Sequence, residues 1–156
     1  IHKKFKPNFR QDEEQVPFIS PATGFAPSSD EEFCRLGDVV IADASEDYSD
    51  IGKAIEIVQV RDKSLVAGLH TFIARPIDNE IALGFAGYLL RSPEMRKQIT
   101  RIAQGISVLG VSKRNLEKLL LEIPHPDEQA LIADYLTNFN NALDEKIDLI
   151  TKNISL

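Results

Sequence analysis

The 156-residue chain, at 17.4 kDa, has the length of one ordinary domain, so a single core is expected. Its 43% apolar and 27% charged residues exclude a disordered tail, a collagen-like fibre and a disulfide scaffold. A formal charge of −6 argues, on its face, against a nucleic-acid partner.

Residues 1–36 are punctuated by Pro7, Pro17, Pro21, Gly24 and Pro27, which leaves room only for short strands such as Val16–Ser20. Gly37-Asp38 then reads as a turn into a buried strand, Val39-Val40-Ile41-Ala42, followed by an acidic loop from Asp43 to Asp50. Ala54–Val60 and Leu69–Arg75 are rich in Ile, Val, Phe and Thr and predict two more strands. The first half is therefore expected to be a curved, mostly antiparallel β structure.

The second half changes character. Ile81–Leu90 is apolar and helix-compatible. Ser92-Pro93-Glu94 starts a new helix, with a capping Ser, Pro at the first helical position and an acid in the first turn. Met95, Ile99 and Ile102 form its apolar stripe, Arg96, Lys97 and Arg101 occupy other faces, and Gly105 supplies the stop. Ser112 is a second cap, opening a short helix through Leu116, and Leu119–Ile123 reads as a strand closed by Pro124. The last helix begins at Pro126-Asp127-Glu128-Gln129 and carries apolar residues at Ile132, Leu136, Phe139, Leu143, Ile147, Ile150 and Ile154. That spacing has a period of about 3.67, an 11-residue repeat that predicts a nearly straight or slightly right-handed packed helix. Two readings of the stripe stand level: it receives a partner helix, or it folds back on its own domain.

Cys34 has no partner for an internal disulfide, and a lone thiol with no secretory signal fits a reducing cytoplasm. It reads as a small, half-buried apolar residue and not as a nucleophile. No run approaches the roughly 18 apolar residues of a membrane-spanning helix, so a soluble protein without a membrane partner is expected. The start at Ile1-His2-Lys3-Lys4, without an initiator Met, leads us to expect part of a longer protein.

The charge is unevenly distributed. Residues 27–50 carry −7 and residues 119–156 carry −5, whereas residues 91–118 carry +5. Screening acts over about 8 Å at physiological salt, so a local basic patch can hold DNA while a distant acidic helix repels it. The basic block of helix, turn and helix N-terminus is a place for phosphates. A solvated helix face is the commoner fate of such a run.

Catalytic patterns are missing. Asp38, Asp43, Glu46, Asp47 and Asp50 could be imagined around the Mg²⁺ of a nuclease, but Glu56-Ile57-Val58 lacks the lysine such sites place on the following strand. There is no Walker or Gly-x-Gly-x-x-Gly loop and no Asn/Asp-Pro-Pro-Tyr/Phe element of an amino-methyltransferase. His2, His70 and His125 have no ligand spacing. No cofactor, metal site or catalytic residue is expected.

The run Leu121-Glu122-Ile123-Pro124-His125-Pro126-Asp127-Glu128-Gln129-Ala130-Leu131-Ile132-Ala133-Asp134-Tyr135-Leu136, followed by Leu143-Asp144-Glu145-Lys146-Ile147, closely resembles the end of a target-recognition domain. The family is the specificity (S) subunits of Type I restriction-modification systems. Gly37-Asp38 with its following strand, and Gly105-Ile106-Ser107 leading to Val111-Ser112 and Leu116, are similar to two upstream elements of that family. The resemblance implies an α+β fold: a curved, β-rich DNA-recognition domain over residues 1–123 and a spacer or dimerisation helix over 124–156. It implies a non-catalytic reader of half of a split double-stranded DNA site, serving a restriction endonuclease and DNA adenine methyltransferase complex. Its partners would be the methyltransferase subunits, the restriction-translocation subunit, and a second recognition domain or second copy joined through Ile132, Leu136, Phe139, Leu143, Ile147 and Ile150.

Within that frame Lys113, Arg114, Arg91, Lys97 and Arg101 are candidate phosphate contacts. Ser45, Tyr48, Ser49 and Lys53, on the Asp43–Lys53 loop, are candidates for reading base edges, with an ordinary acidic surface turn as the competing reading. Gly105 and Ser107 would admit a phosphate close to the backbone. Lys3, Lys4, Lys6 and Arg10 form a second basic cluster beside the duplex. Alternatives are a protein-interaction module, or the recognition domain of a fused restriction-methylation enzyme.

Overall fold

A computed structural model describes residues 6–14, 16–24, 27, 29–61, 65–78 and 80–154. The central sheet is built from β1 (Asn8–Arg10), β2 (Val39–Ala42), β4 (Ala54–Gln59) and β5 (Thr71–Ala74), in the order β1-β4-β2-β5. β3 (Ala44–Ser45) leaves this sheet to pair with β6 (Leu109–Gly110). β2 runs antiparallel to both neighbours, with Val40 opposite Ile55 on one side and Ile73 on the other. β1 is parallel to β4, so the sheet is mixed.

β2 is buried throughout, as its unbroken Val-Val-Ile-Ala run requires of a strand covered on both faces. Alternation sends Phe9, Val40, Ile55 and Ile57 to one face, where Cys34 joins them. Val39, Ile41 and Ala54 point the other way, towards Ala86. That second face is covered by the short α1 (Phe85–Leu89), and α4 (Pro126–Ile154) packs on α1. α2 (Pro93–Ile102) and α3 (Lys113–Leu116) enclose a third cluster in which Ile51, Ile99, Leu109 and Val111 are buried. Both expected caps are present: Ser92 accepts from the Met95 amide and Ser112 from the Asn115 amide.

The structure departs from several of the sequence expectations. Residues 16–20 form no strand; Pro17 removes a ladder donor, and the segment runs into a 3₁₀ turn at Pro21–Thr23. Pairing in this region is made instead by Asn8–Arg10, immediately after Pro7. α1 begins only at Phe85, because Gly84, at φ +90, lies outside the right-handed helical region, and its amide bonds a side chain on β4. Residues 119–123 are not a strand: Gln98 bonds both backbone groups of Leu120 at 3.0 Å and takes the place of a neighbouring strand. Cys34 is fully buried, and burial pushes its thiol up to about 11.

Candidate nucleic-acid interface

The Asp43–Lys53 loop is anchored at both ends. At its start, β3 pairs with β6, setting Ser45 opposite Leu109 and Ala44 opposite Gly110. The Val111 amide adds a bond to the Asp43 carbonyl at 2.8 Å. At its end, Ile51 is wholly buried against Ile99, and Asp50, also buried, meets Lys53 Nζ at 3.2 Å. Gly52, at φ +64, lies so close to Ile99 that a Cβ would collide with that side chain. The turn between these anchors is held by Asp47 Oδ1, which accepts from the Ser49 amide, and by Ser45 Oγ, which accepts from the Asp47 amide. Glu46, Asp47, Tyr48 and Ser49 are left exposed.

Arg96 fixes the turn from outside. Its Nη2 donates to the carbonyls of Tyr48 at 3.1 Å and Ser49 at 3.3 Å. Burial lowers its pKa, and nearby Asp50 opposes that shift. The sequence marked Arg96 only as part of a basic helix face, because nothing local reveals a loop 47 residues away.

The other side of the ribbon is a tight hairpin. Gln104 and Gly110 exchange backbone bonds of 2.9 and 2.7 Å, so the chain turns back within residues 105–109. Gly105, at φ +136, faces the Val108 carbonyl so closely that a Cβ would clash with it. The glycine is thus required by its own hairpin and not as the stop of α2, which already ends at Ile102. Ser107 is exposed at the tip.

The basic side chains divide into two groups. Arg91 is held inside: its Nε donates to the Ala54 carbonyl at 2.6 Å, and burial, with Arg96 nearby, lowers its pKa to about 10. Lys6 is ion-paired with Asp144 at 2.6 Å, tying the start of the described chain to α4. Lys3 and Lys4 lie outside the described residues, and Arg10 pairs with Glu13 at 3.7 Å. Lys97, Arg101, Lys113 and Arg114, by contrast, are exposed and have no ion-pair partner among the described residues. They sit on the two helices that lead into and out of the hairpin.

The acidic residues do not converge. Asp38 is fully buried and accepts from Arg75 at 2.8 and 2.9 Å and from the Arg35 amide at 2.7 Å. Among the described residues no group of three or more His, Cys, Asp or Glu side chains is placed to hold a metal ion.

The apolar stripe of α4 has two fates. Ile132 and Leu136 are half-buried beside the buried Gln129 and Ala133, while Phe139, Leu143, Ile147, Ile150 and Ile154 are exposed. The attached part of α4 is fixed by polar contacts as well. Tyr88 Oη shares a bond with Thr137 Oγ1 at 3.1 Å and accepts from Asn140 at 3.3 Å. The Gln129 amide donates to the carbonyls of Glu80 and Pro124, both at 2.8 Å, and accepts from the Ala82 amide at 2.9 Å. A buried glutamine so fully satisfied joins the helix start to the segment before α1. This gives a structural reason for the glutamine of the Glu128-Gln129 pair at this junction.

With this geometry in place, comparison with known proteins is decisive at the level of family. Residues 2–152 match the family described as Type I restriction modification DNA specificity domain. The chain belongs to that family. Among solved structures, the S subunit of the Type-I restriction-modification system from M. genitalium is 22% identical, with a TM-score of 0.59. The match covers 81% of this chain and 32% of the M. genitalium chain, and at that identity it carries the α+β fold with its long C-terminal helix. Comparison with curated protein sequences gave no match. Among the described residues of this specificity domain, no helix is long and apolar enough to cross a membrane.

Proposed function

We propose that this specificity domain reads half of a split site in duplex DNA for a Type I restriction-modification complex in the cytoplasm, and is itself non-catalytic. The observation that carries the reading is the set of four exposed cations without an ion-pair partner among the described residues, Lys97, Arg101, Lys113 and Arg114, around the ribbon that holds two loops. Their role is to bind phosphates and set register, while the Glu46–Ser49 turn reads base edges. Carboxylates accept from the amino group of cytosine, and the hydroxyls of Ser45, Tyr48 and Ser49 serve several bases. Arg91 and Lys6 are engaged within the protein, so the phosphate role rests on the other four. The exposed part of the α4 stripe is the face for the methyltransferase subunits, or for the helix of a second recognition domain or second copy. The restriction-translocation subunit joins that assembly.

Salt dependence tests the DNA reading. The logarithm of affinity should fall linearly with the logarithm of salt concentration, and Lys113→Ala with Arg114→Ala should reduce that slope by about 2. The loss should be similar across DNA sequences. Affinity indifferent to salt would remove the DNA reading. Full affinity and an unchanged slope in the double variant would move the phosphate contacts elsewhere.

A further inference from the structure

The hairpin between α2 and α3 presents apolar side chains where a phosphate cradle would be polar. Ile106 is fully exposed and Val108 is 56% exposed, whereas Leu109 and Val111 are buried in the core. The tip is not a loose loop. Gln104 and Gly110 close it reciprocally, and β6 ties it to β3. The register places it further. Because β3 and β6 are antiparallel with Ser45 opposite Leu109, Glu46 leaves the ribbon at the same end at which Val108 enters it. The apolar tip and the polar Glu46–Ser49 turn therefore emerge side by side. Arg101 lies just before the hairpin and Lys113 and Arg114 just after it, all exposed.

An apolar tip flanked by exposed cations fits a polyanion that carries apolar groups between its charges. Duplex DNA meets this description, since its major groove displays the thymine 5-methyl between the phosphate lines. We propose that Ile106 and Val108 are base-reading residues that contact thymine methyl groups in the major groove, beside the polar turn. This assigns the Gly105–Ser107 segment to base reading in place of phosphate binding, and it rests on the DNA-reading function proposed above.

The test uses the full chain and a random pool of duplexes. Thymines in the enriched duplex are replaced one at a time by deoxyuridine, which lacks only the methyl group. The expected result is a roughly fourfold loss of affinity at one or more positions, the effect of one buried methyl-sized group. A double variant, Ile106→Ala with Val108→Ala, should bind the thymine and uracil duplexes equally and keep the wild-type salt slope. Both side chains are exposed, so its thermal midpoint should match the wild type, which separates lost contact from lost fold. Equal wild-type affinity for thymine and uracil at every position would overturn the assignment, as would a variant that still tells them apart. Enrichment without methyl dependence overturns this inference alone; failure to enrich any duplex overturns the DNA reading as well.

Discussion

Glu56 lies in the middle of β4, almost wholly buried, with its carboxylate 2.6 Å from the Gly84 amide and 2.9 Å from the Gly87 amide. Burial raises its pKa, and the amides of Gly84, Gly87 and Ala86 pull in the opposite direction without cancelling the effect. The sign of the consequence follows from linkage. Between the ordinary carboxylate pKa and the raised one, the folded protein binds more protons than the unfolded chain, so stability falls as pH rises through that window. Glu56→Gln removes this titration. In chemical unfolding, the stability of the wild type relative to Glu56→Gln should increase on going from about neutral pH to about pH 4.5. A difference independent of pH would show that Glu56 is not the titrating group. In the sequence, Glu56 is an acid interrupting a strand pattern, and its partners lie 28 and 31 residues away. The alternation of Ala54–Val60 places its side chain on a face but does not say what that face meets.

At the scale of elements, local chemistry was legible and distant partnership was not. Ser92-Pro93-Glu94 and Ser112 start α2 and α3 through bonds made within three residues, and the apolar run at residues 39–42 is sufficient for a buried strand. Residues 119–123 carry the composition of a strand but find a side-chain amide in place of a sheet edge. Composition cannot distinguish those two partners. The same limit explains Arg96, which shares a helix with Lys97 and Arg101 but turns inward to the Tyr48 and Ser49 carbonyls. This contact makes α2 the support of the Glu46–Ser49 turn, and under the proposal that this turn reads bases the consequence is measurable. Arg96→Gln should leave the salt slope for DNA binding near the wild-type value while lowering discrimination between an enriched duplex and random DNA several-fold. A slope reduced by about 1, with discrimination intact, would instead make Arg96 a phosphate contact.

At the scale of the whole molecule, the net charge of −6 is the sum of opposed regions. The +5 of residues 91–118 frames the hairpin, and the −5 of residues 119–156 falls largely on α4. That separation is what the proposed division of labour, DNA at one end and protein on the helix, requires. Periodicity alone left the α4 stripe undecided between its own domain and a partner, because both give the same spacing. The structure divides it: Ile132 and Leu136 are half-buried beside the buried Gln129 and Ala133, and the stripe from Phe139 onward is exposed. The two portions should therefore answer differently to the same change. Leu143→Glu, at a site 42% exposed, should leave the unfolding free energy within about 0.5 kcal/mol of wild type while abolishing self-association or methyltransferase binding. Ala133→Glu, which places an unpaired charge in the buried contact beside Gly84, should cost about 3 kcal/mol or more. Sedimentation and urea unfolding on the two variants separate assembly from folding. If Leu143→Glu associates as the wild type does, the exposed stripe is not the interface, and α4 contributes to this specificity domain only through the portion already packed on it.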